Sequence, residues 1–276
     1  MTSTATQTKP QTPWWGSFTL AEGELRRWQV GERTVWVHNQ RYEWCIYERV
    51  APKEQIEEAK AALPTPLDKI PEDASLTRFS FQKPTSKLTL TPVLADRAVV
   101  LKPEMPLFVP KGEETTLFVS TPLWLRLEVD KLGQLLEVPS QQLSDTWFGP
   151  STLVGELCYA SHAAVNTELN AIAFEPHRAV TPLRVRNLAD SPLQLERIKL
   201  PVRYLAVYKS GKPSDNRLWT QTVTLEREAD GDLAGLQLGK GAPREAGKAE
   251  RLSAPRQRAD KNLVVRAFSK LFSTQW

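Results

Sequence analysis

The stretch LRRWQVGERTVWVHNQRYEWCIYE, residues 25–48, decides the fold class. Gly31-Glu32 and Asn39-Gln40 are typical turn dipeptides, and they divide the stretch into three strands of a meander. With two-residue turns at both places, Trp28 lies opposite Val35, and Val35 lies opposite Trp44. One face of this meander then carries Trp28, Val30, Val35, Val37, Tyr42, Trp44 and Ile46. The other face carries Arg27, Gln29, Thr34, Trp36, His38, Glu43, Cys45 and Tyr47. We expect the first face to be core and the second to be partly wet.

Outward from the meander, strand patterns recur to residue 238, and a single helix is predicted at 51–63. Turn residues separate these strands at a spacing typical of sandwiches and barrels. The sequence therefore predicts an all-β protein with two sheet-rich, sandwich-like lobes, 14–130 and 131–238, after a disordered polar leader at 1–13. The strand patterns are 75–81, 87–94, 97–101, 115–120, 123–129, 134–139, 153–160, 182–187, 193–200, 203–208, 217–226 and 232–238. In LQLERIKL, 193–200, the alternation slips, which indicates a bulge.

The C-terminal part of the chain has a different composition. Residues 239–259 are rich in Gly, Ala, Pro and charge, which predicts a flexible linker. Residues 260–273 then predict a short basic amphipathic helix, because apolar residues recur at helical spacing. Its partner-binding residues would be Val264, Arg266, Phe268, Lys270, Leu271 and Phe272. The apolar stripe could fold back on its own body, enter a partner's groove, or lie on an anionic bilayer.

Charge and targeting signals restrict the function classes. The net charge is +4, but residues 240–276 hold nine Lys or Arg against three Asp or Glu, so the remainder is slightly acidic. A nucleic-acid-binding face on the body is not expected. There is no apolar run long enough for a transmembrane helix, and no signal peptide is visible. Cys45 and Cys158 fit buried free thiols. We expect a cytoplasmic protein, with weak peripheral contact at the inner membrane as a variant.

No constellation of residues indicates an enzyme. The three histidines, His38, His162 and His177, lack zinc-like spacing with either cysteine, so neither a metal nor a cofactor is expected. Ser151, His162 and Asp145 lie close in sequence, but no nucleophile elbow accompanies them. GKGAP, 239–243, lacks the strand–loop–helix frame of a phosphate loop.

Two aromatic groups are candidates for a ligand surface. Trp147 and Phe148 precede a Gly149-Pro150 turn, where they would either plug a sandwich end or contact a ligand or partner. Trp36, His38 and Tyr47 share the second meander face. Aromatic platforms on sheets can stack sugars or bases, although packing between sheets is the commoner reason for such residues.

The second half of the chain resembles a known family. The runs FGP…G.LCY (148–159), TPLRVRNLADSPLQLERIKLPVRYLAVY (181–208) and LWTQTVTLE (218–226) resemble an uncharacterised archaeal and bacterial family, domain of unknown function 432. TTLFVSTPLWLRLEV (115–129) and the opening WWG (14–16) extend the likeness. These motifs are of the packing and turn kind, and the family brings no catalytic residue. Some members are encoded by genes that lie beside those of small mechanosensitive channels, which suggests such a channel as the partner.

Together these observations favour a non-enzymatic accessory protein. It would dock a partner protein, such as a mechanosensitive channel, through the terminal helix. The alternative is a carbohydrate- or small-ligand-binding β module that uses an aromatic surface.

Overall fold

The computed structural model describes residues 13–51, 63–64, 69–103, 105–129, 132–161, 165–260 and 263–269, and its secondary structure is mostly strand. The all-β fold class is therefore confirmed. The helices that lie wholly within these residues are 3₁₀ turns, at Leu169–Ala171, Val202–Tyr204 and Arg244–Ala246. The strands are β1 (Gly16–Thr19), β2 (Leu25–Val30), β3 (Arg33–Gln40), β4 (Glu43–Val50), β5 (Leu63–Pro64), β6 (Ser75–Ser80), β7 (Lys87–Val93), β8 (Val99–Leu101), β9 (Leu107–Val109), β10 (Glu114–Pro122), β11 (Trp124–Val129), β12 (Gly133–Pro139), β13 (Ser144–Phe148), β14 (Glu156–Ser161), β15 (Val165–Asn166), β16 (Arg178–Asn187), β17 (Leu193–Leu195), β18 (Arg197–Leu200), β19 (Val207–Lys209), β20 (Leu218–Trp219), β21 (Val223–Arg227), β22 (Leu233–Leu238), β23 (Glu250–Ser253), β24 (Val264–Arg266) and β25 (Phe268–Ser269).

The chain forms two compact units, and their boundaries differ from those of the two predicted lobes. Unit 1 contains the described residues up to Thr91 together with Leu125–Gln141. Unit 2 contains Pro92–Trp124 and the described residues from Gln142 onward. The sequence pattern placed one boundary near residue 131, because a Gly-containing break stands there. The two units are not contiguous in sequence: the chain leaves unit 1 after Thr91, returns at Leu125 for β11 and β12, and leaves again after Gln141.

In unit 1 the meander forms as predicted, with one change of register. β2 and β3 pair with Trp28 opposite Val35, as expected. The second turn, however, is at Arg41-Tyr42, so Val35 lies opposite Glu48 and Asn39 lies opposite Trp44. Asn39 belongs to the strand because its buried side-chain amide donates to the Leu20 carbonyl, 2.9 Å away. The partner of Val35 moves by an even number of positions, so the two predicted faces keep their members within the strands.

The first meander face is core, since Trp28, Val35, Val37, Trp44 and Ile46 are fully buried. β5 and β6 extend this sheet on its two sides, in the order β5-β2-β3-β4-β6. A second sheet of unit 1 has the order β1-β7-β11-β12. Leu63, predicted as the last helical residue, lies in β5, so the helix does not extend that far. Residues 52–62 of that helix, and residues 1–12 of the leader, lie outside the described residues.

In unit 2 the longest pairing joins β10 to β16 in antiparallel register. β16 also runs parallel to β20 and β21, which places it at the centre of a sheet of nine strands among the described residues. Its residues 178–183 are all buried, so both faces of the strand are covered there, as in other central strands. A second sheet has the order β13-β14-β8-β18-β25, and β17 pairs with β9.

The predicted irregularity in LQLERIKL is real and larger than a bulge. β17 ends at Leu195, β18 begins at Arg197, and the two strands pair in different sheets. A single residue therefore carries the chain from one sheet to another.

The predicted flexible linker at 239–259 is wrong. β23, within that segment, pairs with β19, and Ala246 is fully buried in a cluster with Trp219 and Ile172. Further along, the Arg256 Nε donates to the Leu94 carbonyl at 2.7 Å. Composition alone favoured a linker because it does not register strand pairing with a distant part of the chain.

The predicted terminal helix is also wrong over its described part, residues 263–269. β24 pairs with β22, and β25 pairs with β18, so the segment extends two sheets in turn. The Ala267 amide between them donates to the Asp232 carbonyl at 2.8 Å. The helical spacing was misleading because Ala267 and Phe268 are buried by sheet edges rather than by a helix face. Residues 270–273 lie outside the described residues.

Candidate functional site

The second meander face does not offer an exposed aromatic platform. Trp36 and His38 are buried, and Tyr47 is half-buried. Burial lowers the pKa of His38 and raises the pKa of Tyr47, so it favours the neutral form of both side chains. A base or sugar cannot stack on a ring that water does not reach. The aromatic-surface interpretation of Trp36 and His38 is therefore corrected to packing.

The structure does not bring the predicted C-terminal anchors together. Val264 is exposed on β24, whereas Phe268 is buried on β25. Arg266 forms an ion pair with Asp232. Lys270, Leu271 and Phe272 lie outside the described residues. The described anchors thus belong to two different sheets and present no common stripe.

Trp147 and Phe148 lie at the end of β13, in a hairpin with β14. Trp147 pairs with Leu157 and Phe148 with Glu156. Because side chains alternate along a strand, the two aromatic residues point to opposite faces. Trp147 is 42% exposed, whereas Phe148 is fully buried. The sequence predicted one aromatic loop, and only its first residue is available to a partner.

The tip of this hairpin, residues 149–155, is held by contacts within itself. The Trp147 indole N–H donates to the Ser151 carbonyl at 2.7 Å, and the Val154 amide donates to the Ser151 hydroxyl at 3.2 Å. A Cβ on Gly155 would lie 2.7 Å from the Trp147 indole nitrogen, and one on Gly149 would collide with the Val154 carbonyl oxygen. The two glycines therefore permit a closely packed tip.

The ordered tip presents apolar side chains to solvent. Leu153 is 92% exposed, Val154 is 50% exposed, and Leu157 is 46% exposed beside Trp147. We call Trp147, Leu153, Val154 and Leu157 the hairpin tip surface. Single exposed leucines are ordinary, but four neighbouring apolar side chains on one ordered hairpin are typical of an interaction site.

A polar rim lies next to the hairpin tip surface on the same hairpin and on the chain before β8. Arg97 pairs with Asp145 at 3.1 Å and lies 4.9 Å from the centre of the Tyr159 ring. The Tyr159 hydroxyl donates a hydrogen bond to Asp96 Oδ1, 3.0 Å away. An apolar centre beside paired charges is the usual composition of a protein–protein interface.

The opposite face of the hairpin is enclosed. Phe148 and Cys158 pack with Ala98 and Val100, and the cations of Arg197 and Lys199 lie 5.3 and 5.6 Å from the Phe148 ring centre. Burial, followed by the nearby Glu156 carboxylate, raises the pKa of the Cys158 thiol to about 11. Both cysteines are buried free thiols, as predicted. At neutral pH Cys158 is therefore a poor nucleophile.

The residues of the rejected triad have structural partners. The Ser151 hydroxyl and carbonyl both hold the tip, and Asp145 pairs with Arg97. His162 lies outside the described residues. Burial and the neighbouring Arg178 lower the pKa of His177 to about 4. Within the described ranges, the acidic, cysteine and histidine side chains form no group that could hold a metal ion.

In the part of the chain that the structure describes, no helix has the length and apolar character needed to cross a membrane. The fold and this surface define an all-β protein of two units with an ordered apolar hairpin. The chain belongs to the DUF432 family, described as proteins of unknown function, whose profile matches residues 14–273. The resemblance predicted from the sequence is thereby confirmed. Comparison with curated proteins found no match, and comparison with solved structures found none either.

Sequence reasoning identified Trp147 but missed Leu153, Val154 and Leu157. Residues 153–160 were predicted to be one continuous strand, whereas β14 begins only at Glu156. A usable signal was present in GPSTLVG, 149–155, where two glycines and a proline bracket two apolar residues. Such bracketing favours a turn and so places Leu153 and Val154 at its tip.

Proposed function

We propose that this protein is a non-enzymatic accessory protein that docks a partner protein through the hairpin tip surface. The observation that carries the proposal is the 92% exposure of Leu153 on a tip held by Trp147 and Ser151. A tip that is ordered before binding loses little conformational entropy on docking. The same buried apolar area therefore gives a higher affinity than it would on a loop that the partner has to order.

The size of the surface indicates a weak, reversible contact. Burying one large apolar side chain contributes about 1.5–3 kcal/mol. Trp147, Val154 and Leu157 are already about half-buried, so the area still exposed on the four side chains amounts to about two of them. Its burial contributes roughly 3–7 kcal/mol, against an association cost of roughly 4–15 kcal/mol. Contacts to the polar rim of Arg97 and Asp145 would then decide specificity.

The partner is proposed to be a protein at the cytoplasmic side of a membrane. The family resemblance suggests a mechanosensitive channel, because some family members are encoded beside such channels. A cytoplasmic location with peripheral contact at the inner membrane is part of this proposal. The C-terminal segment is not proposed as the docking element, because its described residues form β24 and β25.

A site-specific photo-crosslinker tests the proposal. Benzoyl-phenylalanine replaces Leu153 in one variant and Leu188, which is 53% exposed elsewhere in unit 2, in the control. The tip position is expected to capture one protein that the control position does not. That protein, purified, should bind the wild-type chain and lose binding to the double variant Leu153→Ser with Leu157→Ser.

The control double variant, Leu188→Ser with Leu233→Ser, removes two leucines that are each about half exposed and should keep full binding. Equal capture at both crosslinker positions would contradict the proposal. So would a tip that binds vesicles of phosphatidylglycerol but no protein, because the surface would then serve a bilayer.

A further inference from the structure

A cleft of about 280 Å³ lies in unit 2, and the inner face of the β13–β14 hairpin contributes to it. Phe148, Gly155 and Glu156 come from the hairpin, and Lys199, Arg203 and Tyr204 come from β18 and the 3₁₀ turn after it. Residues 263–266 close another side. The hairpin tip surface is on the other face of the hairpin, so the two features are separate.

Cations outnumber carboxylates around this cleft. Glu156 is the shared counter-ion of two of them: it pairs with Lys199 and, at 3.7 Å, with Arg203. Arg266 pairs with Asp232. Arg197, over the Phe148 ring, donates to the Thr146 hydroxyl and the Trp147 carbonyl, which are both neutral. The group therefore has an excess of positive charge.

Arg203 has hydrogen-bonding capacity that the fold leaves unused. Its distance of 3.7 Å from Glu156 is too long for a hydrogen bond. Its Nε is buried, and no described residue accepts a hydrogen bond from it. A buried Nε–H without an acceptor is costly, because it has lost its hydrogen bonds to water and gained none in the fold.

The same residue is held in place. Arg203 is the middle residue of the turn Val202–Tyr204, and its carbonyl accepts the Gln257 amide at 3.0 Å. Its guanidinium lies 5.2 Å from the centre of the Tyr204 ring, which restricts the plane of the group. A ligand in the cleft cannot reach the buried Nε, so its donors would be the Nη groups of this side chain, which is 32% exposed. A fixed guanidinium whose Nη groups lack a hydrogen-bonded carboxylate is the arrangement that recognises planar or tetrahedral oxyanions.

We propose that this cleft binds a small oxyanion, a phosphate or carboxylate group, with Arg203 as the main donor. The volume lies just below the usual range of ligand pockets, so the ligand is small. Lys199 adds positive charge, and the ligand competes with Glu156 for both cations. The inference does not depend on the docking role of the hairpin tip surface.

Calorimetric titration with inorganic phosphate, pyrophosphate and citrate, at constant ionic strength, tests the proposal. The wild-type chain is expected to show saturable binding of at least one of these anions. Arg203→Gln should weaken it by about tenfold or more, and Arg203→Lys should restore part of it, since lysine keeps the charge but loses the fork. Arg251→Gln removes an exposed arginine elsewhere in unit 2 and should bind as the wild type does.

A second variant keeps the test decisive if Arg203→Gln folds poorly. Glu156→Gln removes the competing carboxylate, so the anion should bind more tightly and raise the melting temperature more than in the wild type. Misfolding cannot produce such a gain. The proposal is overturned if no anion gives saturable heat up to about 10 mM. It is equally overturned if Arg203→Gln binds like Arg251→Gln, or if Glu156→Gln binds more weakly than the wild type.

Discussion

Two apolar segments of unit 2, the C-terminal segment 263–269 and the hairpin tip 149–155, have opposite environments. The C-terminal segment has the more regular apolar spacing, and its Phe268 is buried, with only 3% of its surface exposed. The tip has no periodic pattern, yet it carries the 92% exposed Leu153. Apolar spacing thus predicts that a segment will be buried, but it does not say whether its own chain or a partner buries it.

Strand pairing explains the difference. The C-terminal segment pairs with two sheet edges, at β22 and at β18, and its backbone groups form hydrogen bonds with both strands. An unpaired edge readily accepts an extended segment from the same chain. In the hairpin tip, the Ser151 carbonyl and the Val154 amide form hydrogen bonds with the side chains of Trp147 and Ser151. These two backbone groups therefore do not need a neighbouring strand as a partner.

The largest expected effect comes from ending the chain at Leu238. That truncation removes β23, β24 and β25 and uncovers their partners β19, β22 and β18. Since a whole domain is stable by only about 5–15 kcal/mol, unit 2 should lose its cooperative thermal transition. Calorimetry of the truncated and full chains measures this. An unchanged transition would mean that the C-terminal strands contribute nothing.

The next effect is that of Phe268→Ala, which empties a buried aromatic site on β25. The free energy of unfolding should fall by about 3–5 kcal/mol. Val264→Ala, at an exposed position of β24, is the control and should change it by less than about 0.5 kcal/mol. Urea unfolding followed by tryptophan fluorescence gives both values. Equal losses in the two variants would contradict the contrast between the two strands.

Local patterns in the meander predicted much of the fold because hairpin pairing is local. The faces of Trp28, Val35 and Trp44 were correct even though the second turn was displaced to Arg41-Tyr42, because the displacement preserves alternation. Exposure was not predictable from the same pattern. Trp36 and His38 lie on the predicted second face, but their burial depends on parts of the fold that no alternation encodes.

Long-range pairing accounts for what the sequence missed. β23 joins β19 across some forty residues, and β16 runs parallel to β21, so neither partner is evident in a local window. Arg203 was missed for a related reason. Its importance rests on the closeness of Glu156, which lies on β14 and far from it in sequence, and on an Nε–H without an acceptor.

Gly155→Ala should have an intermediate effect, because it tests whether the tip is closely packed. The new Cβ would lie 2.7 Å from both the Trp147 indole nitrogen and the Phe148 carbonyl oxygen. Overpacking of this kind costs about 1–3 kcal/mol. Gly241→Ala, where a Cβ would meet nothing, is the matched control. A loss as small as that of the control would show that the tip adapts freely.

A smaller effect on stability is expected for the double variant Leu153→Ser with Leu157→Ser. Surface substitutions usually change the free energy of unfolding by no more than about 0.5 kcal/mol each. The partner captured at position 153 should nevertheless be lost. A drop of several kcal/mol in urea unfolding would place these leucines in the core and remove the basis for docking.

The smallest effect on stability is expected for Leu157→Cys, which compares the two faces of the hairpin at adjacent positions. Leu157 is exposed beside Trp147, whereas Cys158 points inward and its pKa is raised to about 11. At pH 8 an ordinary thiol with a pKa near 8.5 is roughly one-quarter thiolate, while Cys158 is about one-thousandth thiolate. Iodoacetamide should therefore alkylate residue 157 at least a hundredfold faster than Cys158, with burial slowing Cys158 further.

Because the pKa is raised, the rate at Cys158 should keep increasing up to about pH 11, while that at residue 157 levels off above about pH 9. Peptide mass spectrometry separates these thiols from Cys45, and equal rates at 157 and 158 would mean that β14 does not have the register in which Trp147 lies opposite Leu157.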